Sequence, residues 1–148
     1  MSSAPNPVEL LRDLLRFDTT NPPGAERACI EHVRGLLSAA GVVSEVYARD
    51  PERPNLVARL EGSNGGAPLL LYGHVDVVPT VGQQWTHPPF SAEVVDGMVW
   101  GRGALDMKSG VAMMITAFLR ANAERRVPPG GVVLAVLSVE EAGGDFGA

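Results

Sequence analysis

Two nearly continuous apolar runs, Leu69 to Gly73 and Val132 to Val139, stand on either side of a helical pattern at roughly 109 to 125. A strand without polar alternation is suited to burial on both faces, and strand, helix, strand in that order closes as a parallel crossover. This restricts the chain to an α/β sheet covered on both faces. It also fixes where chemistry can sit, because ligands gather outside the carboxyl ends of the strands in open α/β sheets. Both runs end in polar residues, Gly73-His74-Val75-Asp76 in one and Glu140-Glu141 in the other. A third segment, Gly101 to Lys108, carries Asp106 at a loop-to-helix transition that can fold over the same edge.

The rest of the chain supplies layers for that sheet. Asn6 before Pro7, with Glu9 three residues after the Asn, reads as a helix start with a capping side chain and a capping-box acid. Val8, Leu11, Leu14 and Leu15 share one face of a helix ending near Phe17, and Asn21-Pro22-Pro23-Gly24 forces a turn. A second helix is expected at roughly 24 to 40, ended by Gly41 in a left-handed conformation. Val42 to Ala48 and the alternating Leu56, Ala58, Leu60 read as strands. After an irregular loop from 77 to 90, Asp96-Gly97 between Val94-Val95 and Met98-Val99 signals a tight hairpin.

The 148 residues fit one ordinary domain. A net charge of −5 and a pI near 5.1, with no basic cluster, argue against a nucleic-acid partner. No segment approaches a membrane span, and Met1 to Pro7 lacks the pattern of a secretory signal, so a cytoplasmic location is the expectation. The single cysteine, Cys29, falls on the apolar stripe of the second helix and reads as a core residue rather than a catalytic thiol.

His74, Asp76, Asp106, Glu140 and Glu141 together are the donor set of a metal-dependent hydrolase. A pair of divalent metals bridged by a carboxylate can polarise a carbonyl and activate water, and the attack also needs a base that is not itself a ligand. Adjacent glutamates meet both demands, and Asp76 is placed to orient His74. Each part also has an ordinary structural reading: polar residues end many strands, and an Asp before a helix commonly caps it. Neither His87, in the loop after His74, nor His32, on the polar side of the second helix, is expected as a ligand. A phosphate binder is a rival reading of the glycine-rich 101 to 110 segment, but Arg102 and Met107 occupy positions where a P-loop needs glycine. A non-catalytic interaction module is a second rival, since open strand edges invite pairing.

The chain resembles the N-terminal part of the di-zinc family that includes aminoacylases, glutamate carboxypeptidases, acetylornithine deacetylase and succinyl-diaminopimelate desuccinylase. The matching segments are Asn21 to Gly24, Gly73 to Pro79, Trp85 through Phe90, Gly101 to Gly110, and Glu140 to Gly144. The resemblance implies a partial three-layer zinc-exopeptidase-like catalytic domain over residues 1–148, with a mixed, largely parallel sheet and helices on both faces. It implies that His74 binds one metal, Asp106 bridges two, Glu141 binds the other, Glu140 is the general base and Asp76 supports His74. The cofactors would be two divalent ions, zinc first and cobalt as the alternative, and the substrate an N-acyl amino acid or small peptide. Zinc in a catalytic site usually takes three protein ligands, so each ion is one short here. The resemblance puts the missing carboxylate and histidine, and a lid domain used for homodimerisation, beyond Ala148, making this chain inactive alone or one half of a complementing pair. Val139 departs from the family pattern, which has an acidic or small residue before the glutamates.

Overall fold

The computed structural model describes residues 4–143 as three helices and six short strands. Helix α1, Pro7–Leu15, begins at Asn6, whose side chain accepts the Val8 and Glu9 N–H groups. Glu9 does not return the expected capping-box bond; its carboxylate pairs with Arg12 at 3.1 Å. Helix α2, Arg27–Ala39, starts later than the sequence predicts, because the turn after Asn21 extends to a buried Glu26 held by Arg53 at 2.9 Å. Gly41 ends α2 at φ +74, a backbone conformation only glycine adopts without strain.

Strands β1 (Ser44–Tyr47), β2 (Asn55–Leu60), β3 (Leu69–His74) and β6 (Val132–Leu137) form one sheet in the order β1-β2-β6-β3. Helix α3, Lys108–Glu124, is the crossover between β3 and β6, which pair in parallel, as the strand, helix, strand pattern requires. The β1–β2 and β2–β6 pairs are antiparallel, so the sheet is mostly antiparallel with one parallel pair rather than largely parallel. The long-range β2–β6 pairing has no local signature, which is why the connection order pointed the other way. Strands β4 (Val94–Val95) and β5 (Met98–Val99) form the separate Asp96-Gly97 hairpin, with both turn residues at positive φ.

All three helices pack on one face of the sheet. Leu56, Ala58 and Leu60 stand in register with Val136, Leu134 and Val132, and these six join Leu10, Leu14, Ile30, Val33, Leu37, Ile115 and Phe118 in one core. Burying each large side chain contributes about 1.5–3 kcal/mol. The alternate residues of the same strands, including Val57, Val133, Ala135 and Leu137, are only half-buried, and Leu70 and Tyr72 are exposed. Among the described residues no helix covers this second face, which corrects the expectation of helices on both. Both faces of β6 are apolar, so its sequence could not distinguish a covered face from an uncovered one.

Candidate metal centre

The carboxyl ends of β3 and β6 lie side by side, with His74 paired to Leu137 and the Val75 N–H donating to the Leu137 carbonyl at 2.9 Å. Past these ends the two chains diverge into His74-Val75-Asp76 and Ser138-Val139-Glu140-Glu141. The N-terminus of α3 approaches the same edge because position 73 is glycine: a Cβ there would stand 2.8 Å from the Met107 Cε and 3.1 Å from Val111 Cγ2. Asp106 is thereby brought to His74. Asp106 does not cap α3, whose N-cap position is Met107 without a side-chain bond.

His74 Nδ1 lies 3.0 Å from the Asp76 carbonyl and 3.3 Å from its Oδ1. A carbonyl only accepts, so Nδ1 carries a proton and Nε2 is the ring nitrogen that faces outward. Nε2 stands 3.4 Å from Asp106 Oδ1 and 3.8 Å from Glu140 Oε2. Ligand atoms of His74, Glu140 and Glu141 all lie within 4.8 Å of one another, and Asp106 meets that group through His74. Bonds of about 2.0–2.1 Å in a tetrahedral site put neighbouring ligand atoms about 3.3 Å apart, and the 3.4 Å between His74 Nε2 and Asp106 Oδ1 matches that spacing for a divalent metal such as zinc.

Asp76 is the hub of this corner. It is wholly buried, and its carboxylate accepts the Asn21 side-chain amide at 2.8 Å, the Glu141 N–H at 2.9 Å and the Glu140 N–H at 3.1 Å. Burial alone would raise its pKa, but His74, Asn21 and the two backbone donors outweigh it and bring the carboxyl down to about 2. Burial likewise pulls His74 down, while the hydrogen bonds and charge of Asp76, with Glu140, push it up to about 9. Partial burial raises the Glu141 carboxyl, with like charges on Asp106, Asp76 and Glu140 adding to the rise and His74 opposing it.

Val139 has φ +70 and is buried. That left-handed conformation is uncommon for a β-branched residue and costs on the order of 1–3 kcal/mol. The strained residue turns the chain out of β6 and delivers Glu140 and Glu141 to the His74 edge.

The other singled-out residues sit elsewhere. His87 Nδ1 contacts Glu93 at 2.8 Å and its ring lies 4.8 Å from that of Trp100. His32 is half-buried beside the Phe17 ring at 5.5 Å, not on a solvated face. Cys29 is buried, and burial pushes its thiol up to about 11, which suits a core residue. Lys108 is fully buried, and Nζ donates to the carbonyls of Leu14 at 3.0 Å and Phe17 at 2.9 Å, so it is not free to reach a phosphate. The sequence reading missed Asn21 as a contact of Asp76; its turn motif hid a buried amide.

The chain is similar to known proteins over nearly its whole length. A succinyl-diaminopimelate desuccinylase of Paracoccus denitrificans is 39% identical over 99% of this chain, and one of Methylobacterium radiotolerans is 40% identical over 92%. The chain spans 38% and 35% of the length of those relatives. Among solved structures, human carnosine dipeptidase 1 superposes with a TM-score of 0.77 at 24% identity, over 94% of this chain and 33% of that one. The dinuclear metal-binding peptidase YXEP of Bacillus subtilis gives 0.65 at 20% identity, over 91% of this chain and 35% of its own. These likenesses show a shared fold. The model of peptidase family M20/M25/M40 matches residues 70–148, which begin in β3 and include His74, Asp76, Asp106, Glu140 and Glu141, and the chain belongs to that family.

Proposed function

We propose that this chain carries part of a two-metal centre that hydrolyses the amide bond of an N-acyl amino acid or small peptide. The observation that carries the reading is the convergence of His74 Nε2 with Asp106 at 3.4 Å and Glu140 at 3.8 Å at the carboxyl edge of the β3–β6 pair. In this reading His74 holds one ion, Asp106 bridges, Glu141 holds the other, and Asp76 keeps His74 oriented with its Nδ1 proton. Glu140 takes a proton from the attacking water and passes it to the leaving nitrogen. The ions, zinc with cobalt as a substitute, supply carbonyl polarisation and a lowered water pKa when bound. The substrate class rests on family membership and on relatives named as desuccinylases and peptidases.

Each ion has two ligands from this set, where catalytic zinc takes three, so the 148-residue chain is expected to bind metal without turning over substrate. The chain is read as the N-terminal part of a catalytic domain, cytoplasmic and homodimeric in the whole protein; the last two features rest on resemblance and composition alone. Calorimetry with zinc should show binding that is lost in His74→Ala, and hydrolysis of N-succinyl or dipeptide substrates by this chain would contradict the inactivity.

The uncovered sheet face favours a second reading, a half-enzyme or interaction module. Leu70 is 55% and Tyr72 63% exposed beside half-buried Val133, Ala135 and Leu137. A complementing chain that docks there should restore hydrolysis; a plain interaction module would gain none.

A further inference from the structure

We infer that Asn21 is a positioning residue for the glutamate pair, acting through Asp76; the inference rests on the metal-site reading above. Four groups converge on the Asp76 carboxylate. Oδ1 faces His74 Nδ1 at 3.3 Å and the Glu140 N–H at 3.1 Å, while Oδ2 receives the Glu141 N–H at 2.9 Å and Asn21 Nδ2 at 2.8 Å. Three of these come from the segments that carry the metal-facing side chains. Asn21 alone comes from outside them, so it fixes the plane of the carboxylate independently of what it must orient.

The amide is itself held. The Asn21 N–H donates to the Val77 carbonyl at 2.8 Å, Thr20 bridges to Val77, and Thr19 Oγ1 donates to the Val75 carbonyl at 2.5 Å. Asn21 is 2% and Asp76 0% exposed, so neither finds water as a substitute partner. The following turn is tied through Glu26 to Arg53, and the Arg53 carbonyl accepts Ser138 Oγ at 2.8 Å. The Asn21 turn and the Ser138–Glu141 exit from β6 therefore share one scaffold. An ionised carboxylate accepts at about four lone-pair positions, so removing Asn21 frees one and lets the group rotate away from the Glu140 and Glu141 amides.

Supporting groups of this kind typically change metal affinity 10–100-fold, and Asn21→Ala in the 148-residue chain should bind Co²⁺ about tenfold more weakly by calorimetry. Its far-UV circular dichroism should match the parent, while the ¹⁵N–¹H signals of the Glu140 and Glu141 amides move. Parental Co²⁺ affinity in Asn21→Ala, whether or not its melting temperature falls, overturns the inference. His74→Ala separates the two readings: if it too binds Co²⁺ like the parent, the metal site itself is wrong. If it loses binding while Asn21→Ala keeps it, only the role of Asn21 fails. Should Asn21→Ala not fold, a zinc titration of the parent decides: the Asn21 side-chain amide signals shift if the inference holds and stay fixed if it does not.

Discussion

The two walls of the site are built in opposite ways. On one, the His74 side chain is 7% exposed and that of Asp76 fully buried, held by four close donors and a backbone carbonyl. On the other, the side chains of Asp106 and Glu140 are 76% and 52% exposed, and each has His74 as its close charged neighbour at 3.4 and 3.8 Å. The first wall is preorganised by the fold at a desolvation cost its hydrogen bonds offset. The second keeps its carboxylates in water, where several negative charges can gather without a bound cation. A protein that must fold before it takes up metal can bury the orienting groups but not the unpaired ligands.

Substitutions at equivalent chemistry should therefore differ sharply between the walls. The largest effect is expected for Asp76→Ala, which strands the Asn21 amide and two backbone N–H groups beside His74; urea denaturation should show a loss of about 3 kcal/mol. A loss under about 1 kcal/mol would mean the buried wall is not held as described.

Next is pH. The Asp76 carboxyl, lowered to about 2 from 3.8, contributes stability that is full above about pH 4 and lost as pH falls through 2. His74, raised from 6.5 to about 9, contributes stability that is full below about pH 6.5 and lost as pH rises through 9. The two shifts describe one contact and are counted once. Metal-free chain should be most stable between about pH 4 and 6.5 and weaken toward pH 9.5. His74→Gln should flatten the alkaline limb; if the limb persists unchanged, it belongs to another group.

Lys108→Met tests the support under the exposed wall. Nζ is the shared donor to the Leu14 and Phe17 carbonyls near the end of α1, and Lys108 lies two residues from Asp106. Burial lowers its pKa, so part of the loss is offset by removing a buried charge, and a destabilisation of about 1–2 kcal/mol is expected in thermal melts. The smallest effect on folding belongs to Asp106→Asn, within about 0.5 kcal/mol because the side chain is exposed, although its metal affinity should fall.

The same contrast explains what could be read from the sequence. Elements set by local chemistry were legible: the Asn6 cap, the Gly41 stop, the Asp96-Gly97 turn and the apolar runs of β3 and β6. The meeting of His74 with Glu140 and Glu141 at the strand ends was legible because a parallel crossover brings those ends together. What escaped depended on distant partners. The antiparallel β2–β6 register joins segments some 80 residues apart, as Leu56 pairs with Val136. The Asn21–Asp76 bond spans 55 residues, and Glu26 lengthened the turn before α2 through Arg53, 27 residues on. The φ of +70 at Val139 likewise has no signature in a β-branched residue at the end of an apolar run.

The most direct test of the account is zinc calorimetry on the 148-residue chain beside His74→Ala and Asp106→Asn, each checked by circular dichroism for an intact fold. The parent should bind, and both variants should lose about tenfold or more in affinity, since one removes the nitrogen donor and the other an oxygen of the proposed bridge. Parental affinity in both folded variants would contradict it.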